Sequence, residues 1–178
     1  MSSLSLRKLD TEEALYAAAL RALMRRAHSV HEMRVLLERR AGEASLVGPV
    51  LARLKQHQYL DDARYAREFA RARAQSRRQG RYRIARELRA RGVPDRHIET
   101  ALNEVFAETD ETTLIRARLK RRLARLGAAT ELDEKKLASL YRSLLRSGFS
   151  SDAIRTELRA LDQLDLADAD GTTRTDED

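Results

Sequence analysis

The chain has 178 residues, of which 35% are charged and only 4% are aromatic, and its formal net charge is +7. The absence of cysteine excludes disulfides, thiolate chemistry and zinc ribbons. No stretch approaches the roughly 20 apolar residues of a membrane span, and the N-terminus lacks the apolar core of a signal peptide. We therefore expect a cytoplasmic protein, built from small helical modules, that does not enter membranes.

The predicted elements are all helices, because glycine and proline are scarce while arginine, alanine, leucine and glutamate dominate. Ser29 and Glu32 form a capping-box motif at one helix start, and Asp61 can cap another. After a lead at 1–10 that we expect to be disordered, the predicted helices are about 11–27, 30–41, 46–57, 61–79, 81–91, 94–107, 111–126, 133–147 and 150–161.

The same two-helix pattern occurs three times. Each copy has an apolar residue on a first helix, a small residue that ends this helix, and then the apolar positions of a second helix. The spacing is similar in all three copies. The three sets are Leu37, Ala41, Val47, Leu51, Leu54; Leu88, Gly92, Ile98, Leu102, Val105; and Leu144, Gly148, Ile154, Leu158, Leu161. This period predicts an all-α fold of three tandem three-helix repeats at 11–58, 59–108 and 109–161. Extended helical surfaces of this kind usually bind macromolecules.

Charge is distributed unevenly along these repeats. Residues 61–96, in the second repeat, carry 12 basic and 5 acidic side chains, a balance of +7. Residues 162–178 carry 1 basic and 7 acidic side chains, a balance of −6, and we expect them to form a disordered acidic tail. Such a tail is usually a solvated end, although it could fold back on the basic second repeat. The positive net charge of the chain, concentrated in residues 61–96, favours an anionic partner, with nucleic acid or a nucleoprotein foremost.

Three motifs occur in a fixed order. The most specific one comprises Leu60-Asp61-Asp62, Tyr65-Ala66, Phe69, Arg73, Gly80, Arg83-Ile84, Glu87-Leu88 and Gly92-Val93. It is preceded by Ala19-Leu20-Arg21-Ala22-Leu23, Arg25-Arg26, Ser29 and Glu32-Met33, and followed by Leu145, Gly148-Phe149-Ser150, Asp152 and Ile154. Over residues 12–161 this order and spacing resembles the RecX family of bacterial regulators. One departure is Arg81, which follows Gly80 where many relatives carry proline, and it puts the start of the fifth helix in doubt.

The resemblance implies an elongated, curved molecule of three tandem three-helix modules. It also implies binding to the RecA recombinase, in the groove of the filament that RecA forms on single-stranded DNA. The implied consequence is negative modulation of filament growth, ATP hydrolysis, strand exchange and coprotease activity. The sequence leaves open whether binding to naked single- or double-stranded DNA also matters for this protein, and a monomer is the simplest oligomeric state.

The fourth helix presents the best candidate binding surface. At 100° per residue, Arg64, Arg67, Arg71, Gln75 and Arg78 lie within about 80° of one another. We interpret these arginines as a partner-binding face for the RecA filament or DNA. The alternative is an ordinary solvated face, but such a face would interleave more glutamate. Arg86 and Arg89 of the fifth helix either extend this face or serve only to keep the protein soluble, and the sequence favours neither role. On the seventh helix, Arg116, Lys120 and Arg121 scatter around the wheel, and we treat them as electrostatic background.

Arg73 lies on the opposite, apolar side of the same wheel. Because burial of an unpaired guanidinium is unfavourable, we expect Arg73 either to pair with a carboxylate, Glu87 being the candidate, or to emerge at a seam between modules. A structural role is favoured over direct binding for both residues.

No arrangement of residues suggests catalysis or a cofactor. His28, His31 and Glu32 read H-x-x-H-E, which is not a zinc-protease motif, and the glycines never cluster into a phosphate-binding loop. We therefore expect no enzyme activity, no metal and no cofactor. Two rivals to a filament regulator remain: a general basic helical DNA-binding protein, and a helical adaptor for an unrelated anionic protein.

Overall fold

The computed structural model describes residues 8–125 and 133–171 of the chain, with side chains as far as residue 161. Within these residues the fold is all-helical, as the sequence predicts, and the only β-type contact is an isolated bridge between Leu9 and Ala41. The helices are α1 Glu12–Arg25, α2 Val30–Arg40, α3 Val47–Gln56, α4 Asp62–Arg77, α5 Arg81–Arg89, α6 Asp95–Glu108, α7 Glu111–Leu123, α8 Glu134–Arg146 and α9 Ser151–Gly171, with a 3-10 turn Ala44–Leu46 before α3. The start of α5 at Arg81 settles the doubt raised by the missing proline.

The two ends of the chain differ from expectation in the described residues. Leu9 donates its amide to the carbonyl of Arg40 at 2.8 Å and accepts from the amide of Gly42 at 2.8 Å, so the predicted lead ends in an ordered contact. At the other end α9 continues to Gly171, so residues 162–171 of the predicted tail are helical. Alanine, leucine and glutamine in this stretch favour the helical conformation. Residues 1–7 and 172–178, and the predicted end of α7 at 126, lie outside the described residues.

The chain divides into two compact units. The first comprises Met1–Phe69 and Glu87–Ala101, and the second comprises Ala70–Arg86 and Leu102–Asp178. The first unit has a core in which α1, α2 and α3 pack together around fully buried Leu15, Met33, Leu37 and Leu54. In the second unit α7, α8 and α9 surround Ile115, Leu144, Phe149 and Ile154, which are also buried. The repeat positions are therefore core positions, although each helix of the second predicted repeat contributes residues to both units.

A glycine turn shapes the first unit. Gly92 follows α5 with a φ of +68°, a left-handed conformation that glycine adopts most readily. A β-carbon at Gly92 would lie 2.4 Å from the β-carbon of His31. The backbone of Gly92 therefore packs directly against the His31 side chain. Next to this contact, the hydroxyl of Ser29 donates to the carbonyl of Arg91 at 2.5 Å. We call this contact, made by Ser29, His31, Arg91 and Gly92, the first glycine joint.

The second unit contains an equivalent contact at the next repeat position. Gly148 has a φ of +88°, and a β-carbon there would lie 2.3 Å from the backbone nitrogen of Arg83. Gly80 donates its amide to the carbonyl of Ser147 at 2.8 Å, and Tyr82 donates to the carbonyl of Gly148 at 3.0 Å. These residues form the second glycine joint. Its hydrogen bonds are backbone to backbone, because Gly80 offers no hydroxyl in the place where the first joint uses Ser29.

The capping box predicted at the start of α2 is confirmed. The Ser29 hydroxyl accepts from the Glu32 amide at 3.0 Å, and Glu32 Oε2 accepts from the Ser29 amide at 3.1 Å. The two terminal nitrogens of Arg26 donate hydrogen bonds to the two oxygens of the same carboxylate, at 3.0 and 3.2 Å. Burial alone would raise the pKa of Glu32, but the hydrogen bonds from Arg26 and Ser29 outweigh it, and the pKa falls below its ordinary value of 4.5.

We expect Glu32→Gln to destabilise the first unit by about 1–2 kcal/mol near neutral pH, because the amide cannot retain the charge-assisted bonds from Arg26. The lowered pKa means that the unfolded chain binds this proton more tightly than the folded one. The contribution of Glu32 is therefore complete above pH 4.5 and is lost as the pH falls through the lower folded value. Thermal unfolding of both proteins at about pH 7 and about pH 3 checks this. A difference in melting temperature that is the same at both pH values would contradict it.

Candidate functional site

The N-terminal part of α4 exposes the predicted arginine face. Arg64, Arg67 and Arg71 are exposed, whereas Tyr65 and Ala66 on the other side of the helix are buried. Asp61 begins this helix as predicted, because its Oδ1 accepts from the amides of Ala63 at 2.8 Å and Arg64 at 3.0 Å. The hydrogen bond from the Arg64 amide is the main cause of a lowered pKa at Asp61. We call Arg64, Arg67 and Arg71 the α4 arginine face.

Two of the three arginines on this face make exposed contacts that a partner can replace. Arg64 Nη2 donates to the carbonyl of Gln58 at 2.7 Å. Arg71 forms an ion pair with Glu108 at 3.3 Å, in which the side chains are 55% and 63% exposed. Exposed pairs of this kind contribute about 0.2–1 kcal/mol. A phosphate or carboxylate of a partner can therefore replace Glu108 at little expense.

Arg78 lies beyond the end of α4, so the helical wheel does not describe its position, and its role in partner binding stays a prediction. The wheel assumes a helix as far as 79, but α4 ends at Arg77 and Arg78 takes a left-handed φ of +46°. The physical reason is tertiary, because the buried Gln79 and the second glycine joint at Gly80 draw the chain away from the helix axis. Arg78 is half-buried and lines a concavity that is described below.

Arg86 and Arg89 are exposed on α5, as the sequence predicts. Arg89 Nε forms an ion pair with Asp95 Oδ1 at 2.7 Å, at the start of α6. The Asp95 carboxylate therefore neutralises the positive charge of Arg89, a residue that the sequence analysis assigns to a binding surface. The role of both arginines in partner binding stays a prediction.

Arg73 and Glu87 are both half-buried, which fits the expected structural role. Near Glu87, Arg91 Nη1 donates to its backbone carbonyl at 2.6 Å, and the Arg91 guanidinium lies 4.6 Å from the centre of the Phe69 ring. The sequence did not single out Arg91, which is an additional cation held by backbone and aromatic contacts. The specific pairing of Arg73 with Glu87 stays a prediction.

We expect Arg73→Ala to lower the melting temperature by several degrees more than Arg71→Ala. Arg73 is half-buried, and its removal takes away packing as well as charge, whereas Arg71 contributes one exposed ion pair. Thermal unfolding of the two single variants, each compared with the unchanged chain, provides the measurement. Equal and negligible shifts would refute a structural role for Arg73.

Arginines also gather in the second unit, where the sequence suggested only background charge. A concavity of about 280 Å³ is lined by Arg77, Arg78, Arg118, Arg121, Arg122 and Arg125. Among the described residues, Leu119, Leu140, Ser143 and Leu144 also line it. We call it the arginine concavity. The spacing 118, 121, 122, 125 is the i, i+3, i+4, i+7 pattern of one helix face, and this signal could have revealed it from the sequence.

Arg116, which the sequence also assigned to background charge, has a structural contact. Its Nε and Nη2 donate to the two carboxylate oxygens of Glu157 at 2.6 and 2.9 Å. Glu157 is only 4% exposed, so its buried negative charge is compensated by these two hydrogen bonds from the Arg116 guanidinium. The hydrogen bond that Arg116 donates to Glu157, together with the negative charge of this carboxylate, raises the pKa of Arg116. Arg116 therefore joins α7 to α9 and is not a candidate for partner binding.

The described residues contain no group of three or more His, Asp or Glu side chains placed to hold a metal ion. His28 is buried with its Nδ1 2.9 Å from the carbonyl of Arg26, and burial lowers its pKa. Within the same residues no helix is both long and apolar enough to cross a membrane. The arrangement can bind anions through exposed guanidinium groups.

The chain resembles known proteins in both sequence and fold. A family model described as "RecX, second three-helix domain" matches residues 61–102, which comprise α4, α5 and the first part of α6. The chain is 39% identical over 153 residues to the "Regulatory protein RecX" of Halorhodospira halophila, covering 86% of this chain and 91% of that protein. The chain belongs to the RecX family. The resemblance carried by the sequence motifs is thereby confirmed.

Further RecX proteins give the same result. The relative from Treponema pallidum strain Nichols is 36% identical over 77% of this chain and 79% of its own length. The crystal structure of RecX from Lactobacillus salivarius superimposes with a TM-score of 0.74 at 22% identity, over 85% of this chain and 97% of that one. This structural likeness supports the all-helical RecX fold. Both relatives are named regulatory proteins, which agrees with the expectation of a regulatory role for this family.

Proposed function

We propose that this member of the RecX family binds filaments of the RecA recombinase and negatively modulates their growth, ATP hydrolysis, strand exchange and coprotease activity. Family membership supports a regulatory role, and the single observation that carries the proposal further is the α4 arginine face within the family-matched region. Arg64, Arg67 and Arg71 are exposed there, on a segment of balance +7. In this proposal the protein acts in the cytoplasm on an acidic protein surface or on DNA held by that surface.

The proposed mechanism is bridging of neighbouring protomers in the filament groove. Guanidinium groups suit this task, because each forms a planar fork for carboxylate or phosphate and keeps its charge at any physiological pH. A molecule that contacts two protomers at once gains from effective concentration, and would hinder both protomer addition and the motions coupled to ATP turnover. Arg86 and Arg89 on α5 extend the proposed contact, the latter after exchange of Asp95.

The test measures single-strand-dependent ATP hydrolysis by RecA while this protein is titrated at well below one copy per RecA. The salt concentration is set at a level where this protein no longer binds naked single-stranded DNA, because nonspecific binding falls steeply with salt. Inhibition under these conditions supports a filament regulator. Inhibition that appears only when the protein can saturate the DNA contradicts it and indicates competition for DNA.

A second candidate function, general DNA binding, is favoured by the arginine concavity. It predicts tight binding to naked duplex with a steep salt dependence and no need for recombinase. Inhibition of ATP hydrolysis at high salt would be absent in that case. The titration described above therefore separates the two functions.

A further inference from the structure

A cleft between α1 and α2 in the first unit carries positive charge that the proposed function does not use. Its volume is about 380 Å³, and the described residues that line it include Arg21, Arg25, Arg26 and Arg40 but no acidic side chain. We call it the α1–α2 cleft. Within residues 8–125 and 133–161, Arg21, Arg25 and Arg40 form no ion pair with a carboxylate, whereas Arg26 is paired with Glu32. Three guanidinium groups of the cleft can therefore bind an anionic ligand.

The floor of the α1–α2 cleft is apolar. Ala18 is buried, Ala22 and Leu36 are half-buried, and all three line the cleft. The two alanines lie one helical turn apart on α1, so their small side chains leave room for another chain to approach the helix. Exposed arginines around an apolar floor suit a ligand that carries anionic groups beside an apolar group. A bare phosphate or sulfate ion offers nothing to this floor.

His28 lines the same cleft and adds a hydrogen-bond acceptor. The residue is 8% exposed, and its Nδ1 lies 2.9 Å from the backbone carbonyl of Arg26. Because a carbonyl oxygen only accepts, Nδ1 carries the proton, and Nε2 of the neutral ring is an acceptor. Burial is the main cause of the lowered pKa of His28, which keeps the ring neutral near pH 7. Within the described residues Nε2 has no hydrogen-bond partner, so the cleft suits a ligand that donates an N–H or O–H.

The arginines, the floor and His28 together favour an acidic peptide segment in extended conformation. An extended chain repeats each face every two residues, at about 6.6 Å, and Arg21 and Arg25 are about 6 Å apart along the axis of α1. Carboxylates at alternate positions can therefore bind both arginines, while the apolar side chain between them points to the floor. The free backbone N–H groups of such a segment supply a donor for Nε2 of His28. The sugar–phosphate backbone of DNA offers acceptors only, so it leaves Nε2 without a partner.

We infer that the α1–α2 cleft binds a linear acidic segment of a partner protein, in which carboxylates alternate with apolar side chains. The cleft lies within the first unit and shares no residue with the α4 arginine face or with the arginine concavity. Binding of the segment requires neither recombinase nor DNA, so the inference stands or falls separately from the proposed function.

The test measures binding of a fluorescein-labelled peptide, Asp-Leu-Asp-Leu-Asp, to the full chain by fluorescence anisotropy. A second peptide with serine in place of both leucines keeps the charge but lacks the apolar groups. The cleft variant, Arg21→Gln with Arg25→Gln, removes two charges from the cleft. The matched control variant, Arg34→Gln with Arg39→Gln, removes two charges from exposed arginines of α2 that do not line it. Circular dichroism checks that the variants fold.

We expect the cleft variant to bind the leucine peptide roughly tenfold more weakly at low salt, and the control variant to stay within about twofold of the unchanged chain. The serine peptide should bind the unchanged chain at least roughly fivefold more weakly, because it buries no apolar side chain. A further variant, Ala22→Gln, keeps every arginine but places a longer side chain over the floor. It should weaken binding of the leucine peptide without affecting that of the serine peptide.

Four results would overturn the inference. The first is that the unchanged chain does not bind the leucine peptide at millimolar concentration. Equal losses in the two double variants would show that only net charge matters, and equal binding of the two peptides would show that the floor takes no part. Displacement of the leucine peptide by oligothymidylate or by a nucleoside triphosphate, as effective as displacement by unlabelled peptide at equal negative charge, would assign the cleft to a nucleic acid or a nucleotide.

Discussion

Gly148→Ala should destabilise the second unit by on the order of 3 kcal/mol or more. Two causes add together. The φ of +88° is strained for alanine, and the new β-carbon would lie 2.3 Å from the backbone nitrogen of Arg83. Backbone atoms cannot rotate away as the end of a side chain can, so the second glycine joint would have to open. Its hydrogen bonds from Gly80 and Tyr82 would then weaken.

Thermal unfolding combined with amide hydrogen exchange measures this effect. Loss of protection in α5 and α8, with α1 to α3 remaining protected, would locate the damage in the second unit. Gly48→Ala provides the matched control, because Gly48 lies exposed in α3 with nothing within 4 Å of an added β-carbon. The stability of that variant should change little, because Gly48 lies in the first turn of α3, and any gain in helix propensity is offset by the restriction that Pro49 places on the preceding residue. If the two glycine variants had equal stability, the close backbone contact at Gly148 would be refuted.

Much of the fold follows from local signals in the sequence, namely helix stops and helix caps. The stops at Gly92 and Gly148, the capping box at Ser29 and the cap at Asp61 each act within a few residues of their position. Apolar residues at helical spacing then fix which side of each helix is buried. Such short-range signals give the helices, their order and their core faces. They do not give the contacts made by Gly92 and Gly148, which involve residues distant in the sequence.

The same distinction explains the outcome for the candidate site. Exposure of Arg64, Arg67 and Arg71 follows from the helical wheel alone. The departure of Arg78 from that wheel depends on the second glycine joint, which no local pattern reveals. Arg116 bonds to a carboxylate 41 residues away, and Arg118 bonds to carbonyls 40 and 41 residues away. Sequence spacing identifies charged faces, but tertiary contacts decide which charges are already paired.

The α4 arginine face carries the prediction with the largest functional effect. Substituting Arg64, Arg67 and Arg71 together by glutamine should raise the amount of protein needed for half-maximal inhibition of RecA ATP hydrolysis by roughly tenfold. Each lost exposed charge contributes up to about 1 kcal/mol to binding at such a surface. The melting temperature should change little, because all three side chains are exposed and the cap at Asp61 is retained.

The control is a variant with glutamine at Arg39, Arg142 and Arg159, three exposed arginines outside this face, which lowers the net charge by the same amount. It should inhibit almost as well as the unchanged chain. If it lost inhibition to the same degree, the binding energy would come from overall charge, and the α4 arginine face would have no special role. Inhibition by the α4 variant should also recover partly at low salt, since weaker screening strengthens the remaining basic contacts. Loss that does not depend on salt would instead indicate a damaged structure, and the α4 assignment would be wrong.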